Sequence, residues 1–149
     1  SANGTKSIIA GSVQSFITEQ QMSNEEMMEL IKQFRTAFRA ADRVGLSDVL
    51  TEDFEWHMHY ANRSQDRPTG RIAYGVDGMM EVLEWRKQHW SNQRSYDLVE
   101  RPAGDVILQM FTTIGSDDVS GDFYWNVVDV YPVRDGRIAK KDTYWKHAK

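Results

Sequence analysis

An aspartate and a lysine near the end of the chain are the residues whose types and spacing best suit chemistry. The stretch 126–146 reads NVVDVYPVRDGRIAKKDTYWK, two strand-like runs separated by Arg134-Asp135-Gly136. A three-residue connection with Gly in the left-handed position closes such a hairpin without a Cβ clash. This register sets Asp129 opposite Lys141, Val127 opposite Thr143 and Trp125 opposite Trp145, with Tyr131 and Ala139 on the same face. A two-residue loop would instead set Asp129 against Asp142, an unfavourable meeting of like charges. If the shared face is internal, each charge is costly to bury alone and tolerable only with the other. A pair of that kind can hold a carboxylate ready to accept a proton, or lower the pKa of a lysine. The plainer alternative is an ion pair at the rim of the sheet.

Other chemically able residues lie on a helix and a strand. Arg86 falls in the middle of the apolar stripe Met79, Val82, Leu83 and Trp90, flanked by Trp85 and His89. It is either a snorkelling stem or an anchor for a polar substrate group. His89, one turn from Trp85, is either a satisfied core histidine or a base. His57 and His59 share a strand face with Glu55, roughly 7 Å apart at ordinary strand rise. That face is a candidate metal surface or, more simply, a polar face at a subunit interface. Tyr60 ends the same strand. The chain lacks a glycine-rich phosphate loop and the HExxH and GxSxG motifs. No cofactor and no metal are expected.

These side chains need a scaffold, and its elements are readable. Ser23-Asn24-Glu25-Glu26 is a capping box opening a helix to about residue 43, with Met27, Leu30, Ile31, Phe34, Phe38 and Ala41 on one stripe. A short helix over 46–50 follows. A strand over 54–60 then alternates, with Phe54, Trp56, Met58 and Tyr60 on one face. The polar stretch 62–70 reads as a loop long enough to act as a lid, and Asp77 as the N-cap of a helix over 79–91. Strands over 94–100 and 106–114, joined by Pro102-Ala103-Gly104-Asp105, lead through a polar turn into 121–133 and the closing hairpin. Helices followed by a run of antiparallel strands make an α+β pattern. Residues 1–22 are an arm or weak amphipathic helix with no assigned role, and 23–149 a single domain.

Composition narrows the function. A net charge of −4 with no basic run leaves nucleic acid without an electrostatic footprint. The chain has no cysteine, which removes disulfides, thiolate metal sites and a cysteine nucleophile together. No apolar run approaches the roughly 20 residues of a membrane span. The stretch SANGTKSIIAGSVQSF has neither a basic head nor a sustained apolar segment, so no secretory signal is read there and a cytoplasmic location is expected. Five Trp, six Tyr and six Phe leave enough aromatic surface to line a pocket as well as fill a core.

From about residue 23 to 146 the pattern resembles the nuclear-transport-factor-2-like (SnoaL-like) superfamily. The resemblance rests on LSDVLTEDFEW at the first strand, PTGR and YGVDGMMEVL before the third helix, and VYPVRDGRIAKKDTYW at the close. It implies a curved antiparallel sheet wrapped around helices, a cone with an internal pocket, and a homodimer or higher homo-oligomer. Lining up the motifs places Trp56, Met58, Met110, Thr112, Trp125, Val127, Asp129, Lys141, Thr143 and Trp145 on the concave side. The superfamily's epoxide-hydrolase pattern is not met, since Met110, Thr112 and Thr143 stand where its arginine and aspartates would, and Trp56 and Met58 where its tyrosine and asparagine would. The aromatic pocket is similar to that of cofactor-independent lyases that release formaldehyde from lignin-derived diaryl compounds.

The expectation is a cofactor-independent enzyme, a lyase, that moves a proton on a hydrophobic aromatic small molecule. Asp129, Lys141, His89 and Tyr60 are its candidate catalytic residues, and Trp85, Arg86 and Trp90 join the concave residues as substrate contacts. An isomerase, dehydratase or cyclase on a polycyclic substrate is one alternative; a non-catalytic binding or assembly module is another.

Overall fold

The computed structural model describes residues 22–59 and 70–147. Residues 1–21 of the arm, residues 62–69 of the loop read as a lid, and Tyr60 lie outside the described residues. The elements are α1 (Asn24–Ala40), α2 (Arg43–Val49), β1 (Leu50–His59), β2 (Arg71–Tyr74), α3 (Gly75–His89), β3 (Trp90–Ala103), β4 (Val106–Asp117), β5 (Gly121–Arg134) and β6 (Arg137–His147). The strands form one sheet in the order β2-β1-β6-β5-β4-β3. This is the expected α+β cone with one refinement: β1 and β6 run parallel, and every other pair is antiparallel. No helix among the described residues is long and apolar enough to cross a membrane.

Helix α1 starts as its sequence dictates. Ser23 Oγ accepts from the Glu26 amide at 3.0 Å and the Glu26 carboxylate accepts from the Ser23 amide at 3.0 Å. Met27, Leu30, Ile31, Phe34 and Ala37 are buried. The helix ends three residues earlier than expected, because Ala41 turns left-handed at φ 49° and its N–H caps the carbonyls of Ala37 and Phe38. Gly45 lies inside α2: a Cβ there would be 3.0 Å from Ala37 Cβ, so its absence lets the two helices pack.

Two further expectations shift. The helix α3 begins at Gly75 with Tyr74 at the N-cap position and no side-chain cap, while Asp77 sits in the first turn and pairs with Arg43. The short strand β2 precedes it, pairing with β1 on the sheet edge. Trp90 leaves the helix and opens β3, which bends at two register shifts next to Asn92 and Asp97, both with positive φ.

The closing hairpin has the two-residue turn, Asp135-Gly136, both residues at positive φ (53° and 76°). Val133 pairs with Ile138, and a shift between Val130 and Val133 then moves the ladder by one, so Asp129 faces Thr143 and Val127 faces Trp145. The expected pairing was therefore wrong by two residues. Two residues is one full pleat, so the face survived, and Asp129 and Lys141 still point the same way.

Candidate active site

The concave face of the sheet, closed by α1 and α3, encloses a cavity of about 780 Å³. Its floor is polar. Lys141 Nζ donates to Asp129 Oδ2 at 2.8 Å and to the Tyr131 hydroxyl at 2.8 Å. Thr143 Oγ1 donates to Asp129 Oδ1, and Trp56 Nε1 donates to Thr143 Oγ1 at 2.8 Å. The Tyr131 hydroxyl donates in turn to Gln109 Oε1 at 2.9 Å, and Gln109 Nε2 donates to Glu100 Oε2 at 2.7 Å. Arg35, on α1, grips the same Glu100 through two nitrogens at 3.2 and 2.9 Å. One hydrogen-bonded chain thus crosses the floor from β1 to α1.

Burial sets the electrostatics. Asp129 and Tyr131 have no accessible surface, and Lys141 keeps 4%. Desolvation lowers the Lys141 pKa below its ordinary value, although Asp129 pulls it back. Desolvation, then Asp129, raises Tyr131 well above the ordinary phenol value, so it stays neutral. Arg86, reaching in from α3, is pushed down to about 10 by burial against the opposing pull of Asp129. Its Cζ lies 4.3 Å from the Trp90 ring centre, 4.9 Å from Trp56 and 6.0 Å from Trp145.

Nine of the expected residues line this cavity: Trp56, Arg86, Trp90, Trp125, Val127, Asp129, Lys141, Thr143 and Trp145. Five of the others that lie within the described residues do not. Met58 is buried in the core, at 3% exposure. Met110 and Thr112 fall on the outer face, Met110 exposed and Thr112 bonded to Asn126 at 3.1 Å. The β4 residues that face inward are Gln109, Phe111 and Thr113, one position out of phase with the expectation. His89 holds Asp118 at 2.7 Å and stacks at 4.3 Å on Trp85, which is itself exposed; neither lines the cavity. On the far side of β1, His57 pairs with Glu55 at 2.7 Å and His59 with Asp142. Among the described residues no group of three or more could hold a metal ion.

The expected site left out Gln109, Phe34 and Phe38, and gave Tyr131 no role. Tyr131 was already on the Asp129 face by the hairpin register, and Phe34 and Phe38 were on the apolar stripe of α1. Gln109 carried no signal, being one polar residue in a strand with apolar residues on both faces.

No family model matches the chain, and no curated protein does. Solved structures do. An NTF2-like protein from Burkholderia xenovorans is similar with a TM-score of 0.71 at 20% identity, over 84% of this chain and 92% of that one. A putative polyketide cyclase from a Silicibacter species is similar at 0.64 and 18%, over 84% and 92%. An epoxide hydrolase of M. tuberculosis is similar at 0.58 and 17%, over 83% and 84%. The chain has the nuclear-transport-factor-2-like fold that its motifs resemble. At these identities the likeness is one of fold.

Proposed function

We propose that this protein is a cofactor-independent enzyme that moves a proton on a hydrophobic aromatic small molecule, with Asp129 and Lys141 as its acid–base couple. The observation that carries the reading is a pair of opposite charges, both buried, on the floor of a cavity walled by tryptophan. Stability alone does not call for such a pair, because apolar residues of similar volume would serve as well. Lys141 is the partner that keeps accessible surface. Its Nζ passes one proton to Asp129 Oδ2 as it takes another from a substrate hydroxyl, and the lowered Lys141 pKa eases that transfer.

A lyase is the specific reaction this suits. In a diaryl propanediol, loss of the primary hydroxyl proton turns the carbinol carbon into formaldehyde. The broken C–C bond supplies the electron pair of a new C=C bond, which expels the benzylic hydroxyl, and the couple returns the proton to release it as water. The balance needs no oxidant. A putative isomerase and putative polyketide cyclases among the similar structures keep other proton transfers in view. A non-catalytic binding module is the second reading, favoured by the absence of accessible surface on Asp129.

The homodimer belongs to the same proposal, supported by Met110, Val128 and Tyr144, neighbours on the outer face that are each about two-fifths exposed. Light scattering would test it.

The function is tested by incubating the protein with lignin-type diaryl propanediols and assaying formaldehyde and alkene together. The expected result is stoichiometric release that Asp129→Asn abolishes while the circular dichroism spectrum is retained. Near-normal turnover in Asp129→Asn would sink the catalytic assignment, and ligand binding without turnover across the panel would favour the binding module.

A further inference from the structure

The charges around the cavity do not balance. Among the described residues its lining holds five cationic side chains, Arg35, Arg39, Arg86, Lys87 and Lys141, and one acidic one, Asp129, in a chain whose net charge is −4. Arg39 and Lys87 are exposed and so well solvated. Arg35 is held by Glu100 and Lys141 by Asp129. Arg86 is left over. Among the described residues it has no carboxylate partner and no hydrogen-bond acceptor.

What Arg86 does have is ring faces. Those of Trp56 and Trp90 attract the cation but satisfy none of its five N–H donors. Lys141 crowds the same Trp56 ring, with Nζ 5.2 Å from its centre, and the two like charges disfavour each other. A half-buried charge without a carboxylate partner is costly, and at a guanidinium pKa of about 10 the group does not escape the cost by neutralising at physiological pH. The deep part of the cavity therefore carries one net positive charge that the described protein does not offset.

We propose that the cavity takes an arylcarboxylate, whose carboxylate is held by the N–H edge of Arg86 while its ring lies against the tryptophan wall. One unpaired cation matches one negative charge, and the guanidinium fork matches the two oxygens of a carboxylate. Trp56, Trp90, Trp125 and Trp145 supply the flat apolar surface, and about 780 Å³ admits a molecule of two or more rings. The Asp129–Lys141 couple then meets the far, hydroxyl-bearing end of the ligand. The inference rests on reading the cavity as a small-molecule site but not on turnover there.

Isothermal titration calorimetry with 2-naphthoate and its uncharged isostere 2-naphthamide tests it. The acid should bind the wild-type protein roughly tenfold to a hundredfold more tightly than the amide, the range expected for a charged hydrogen bond over a neutral one. Arg86→Met should erase that preference and Arg86→Lys should keep part of it. Equal binding of acid and amide by the wild type, no binding of either, or an acid preference that survives Arg86→Met each overturns the proposal. A preserved acid preference without turnover of any diol would overturn the lyase reading and leave this one standing.

Discussion

Two cations share the Trp56 ring and have opposite surroundings. Lys141, on β6, reaches Asp129 and Tyr131 at 2.8 Å each, and both partners are themselves tied into a chain of hydrogen bonds. Among the described residues Arg86, on α3, reaches tryptophan faces alone. The sheet residue is locked by partners on the adjacent strand; the helix residue lies half-buried against tryptophan rings. A cation that the protein already neutralises contributes to the fold and can exchange protons through its partner. A cation left unneutralised is held at a cost until something from outside arrives. The difference separates a couple built for chemistry from an anchor built for binding.

The largest effect should come from breaking the compensated side. Asp129→Ala leaves Lys141 buried without its counter-ion, and breaking such a pair costs about 3–5 kcal/mol. Urea denaturation at neutral pH should show that loss, and adding Lys141→Met should recover most of it, since two apolar residues no longer strand a charge. If the single variant lost less than about 1 kcal/mol, Lys141 would be solvated and the distinction from Arg86 would collapse.

How much of this contrast was legible in the sequence depends on the range over which each signal acts. The α1 capping box and the Arg86 stripe are local; the first stands as read, and the second does so apart from Trp90, which opens β3. The Asp129–Lys141 face was read correctly from a register that was not, because the two-residue turn and the shift past Val130 together moved the ladder by a full pleat. On β4 the inner and outer faces are both largely apolar, so alternation could not tell Gln109, Phe111 and Thr113 from Met110 and Thr112. Trp85 and His89 stack on each other along one helix face, and neither lines the cavity. The Tyr131–Gln109–Glu100–Arg35 chain joins three strands and a helix, with Arg35 and Glu100 separated by 65 positions, and no local pattern encodes that.

The uncompensated side should behave in the opposite sense. Arg86→Met removes cation–ring attraction of about 0.5–2 kcal/mol and, with it, the cost of a desolvated charge. The ligand-free variant should therefore be at least as stable as the wild type at neutral pH. The pH dependence carries the sign. Arg86 is depressed to about 10 in the folded state, so above that pH the unfolded chain holds the proton that the folded chain has lost, and stability rises with pH. Measured from pH 9 to 11, wild-type stability should gain on that of Arg86→Met. A difference that stays flat, or a variant clearly less stable at neutral pH, would mean that Arg86 is compensated after all.

The smallest effect tests whether the Lys141 side is a network or only a pair. Tyr131→Phe leaves the salt bridge intact but removes the hydroxyl that accepts from Lys141 and donates to Gln109 Oε1, leaving one buried donor and one buried acceptor short of a partner. Unsatisfied groups of that kind cost about 1–3 kcal/mol, less than the loss of the counter-ion. Alkaline pH adds a second reading. The Tyr131 pKa is raised by burial and by Asp129, so above the ordinary phenol value the unfolded chain ionises first and the Tyr131 contribution to stability falls with rising pH. That slope is opposite to the one assigned to Arg86, and Tyr131→Phe should abolish it. If the variant were as stable as the wild type and kept the alkaline slope, Tyr131 would be packing beside the couple without belonging to it, and the compensation of Lys141 would rest on Asp129 alone.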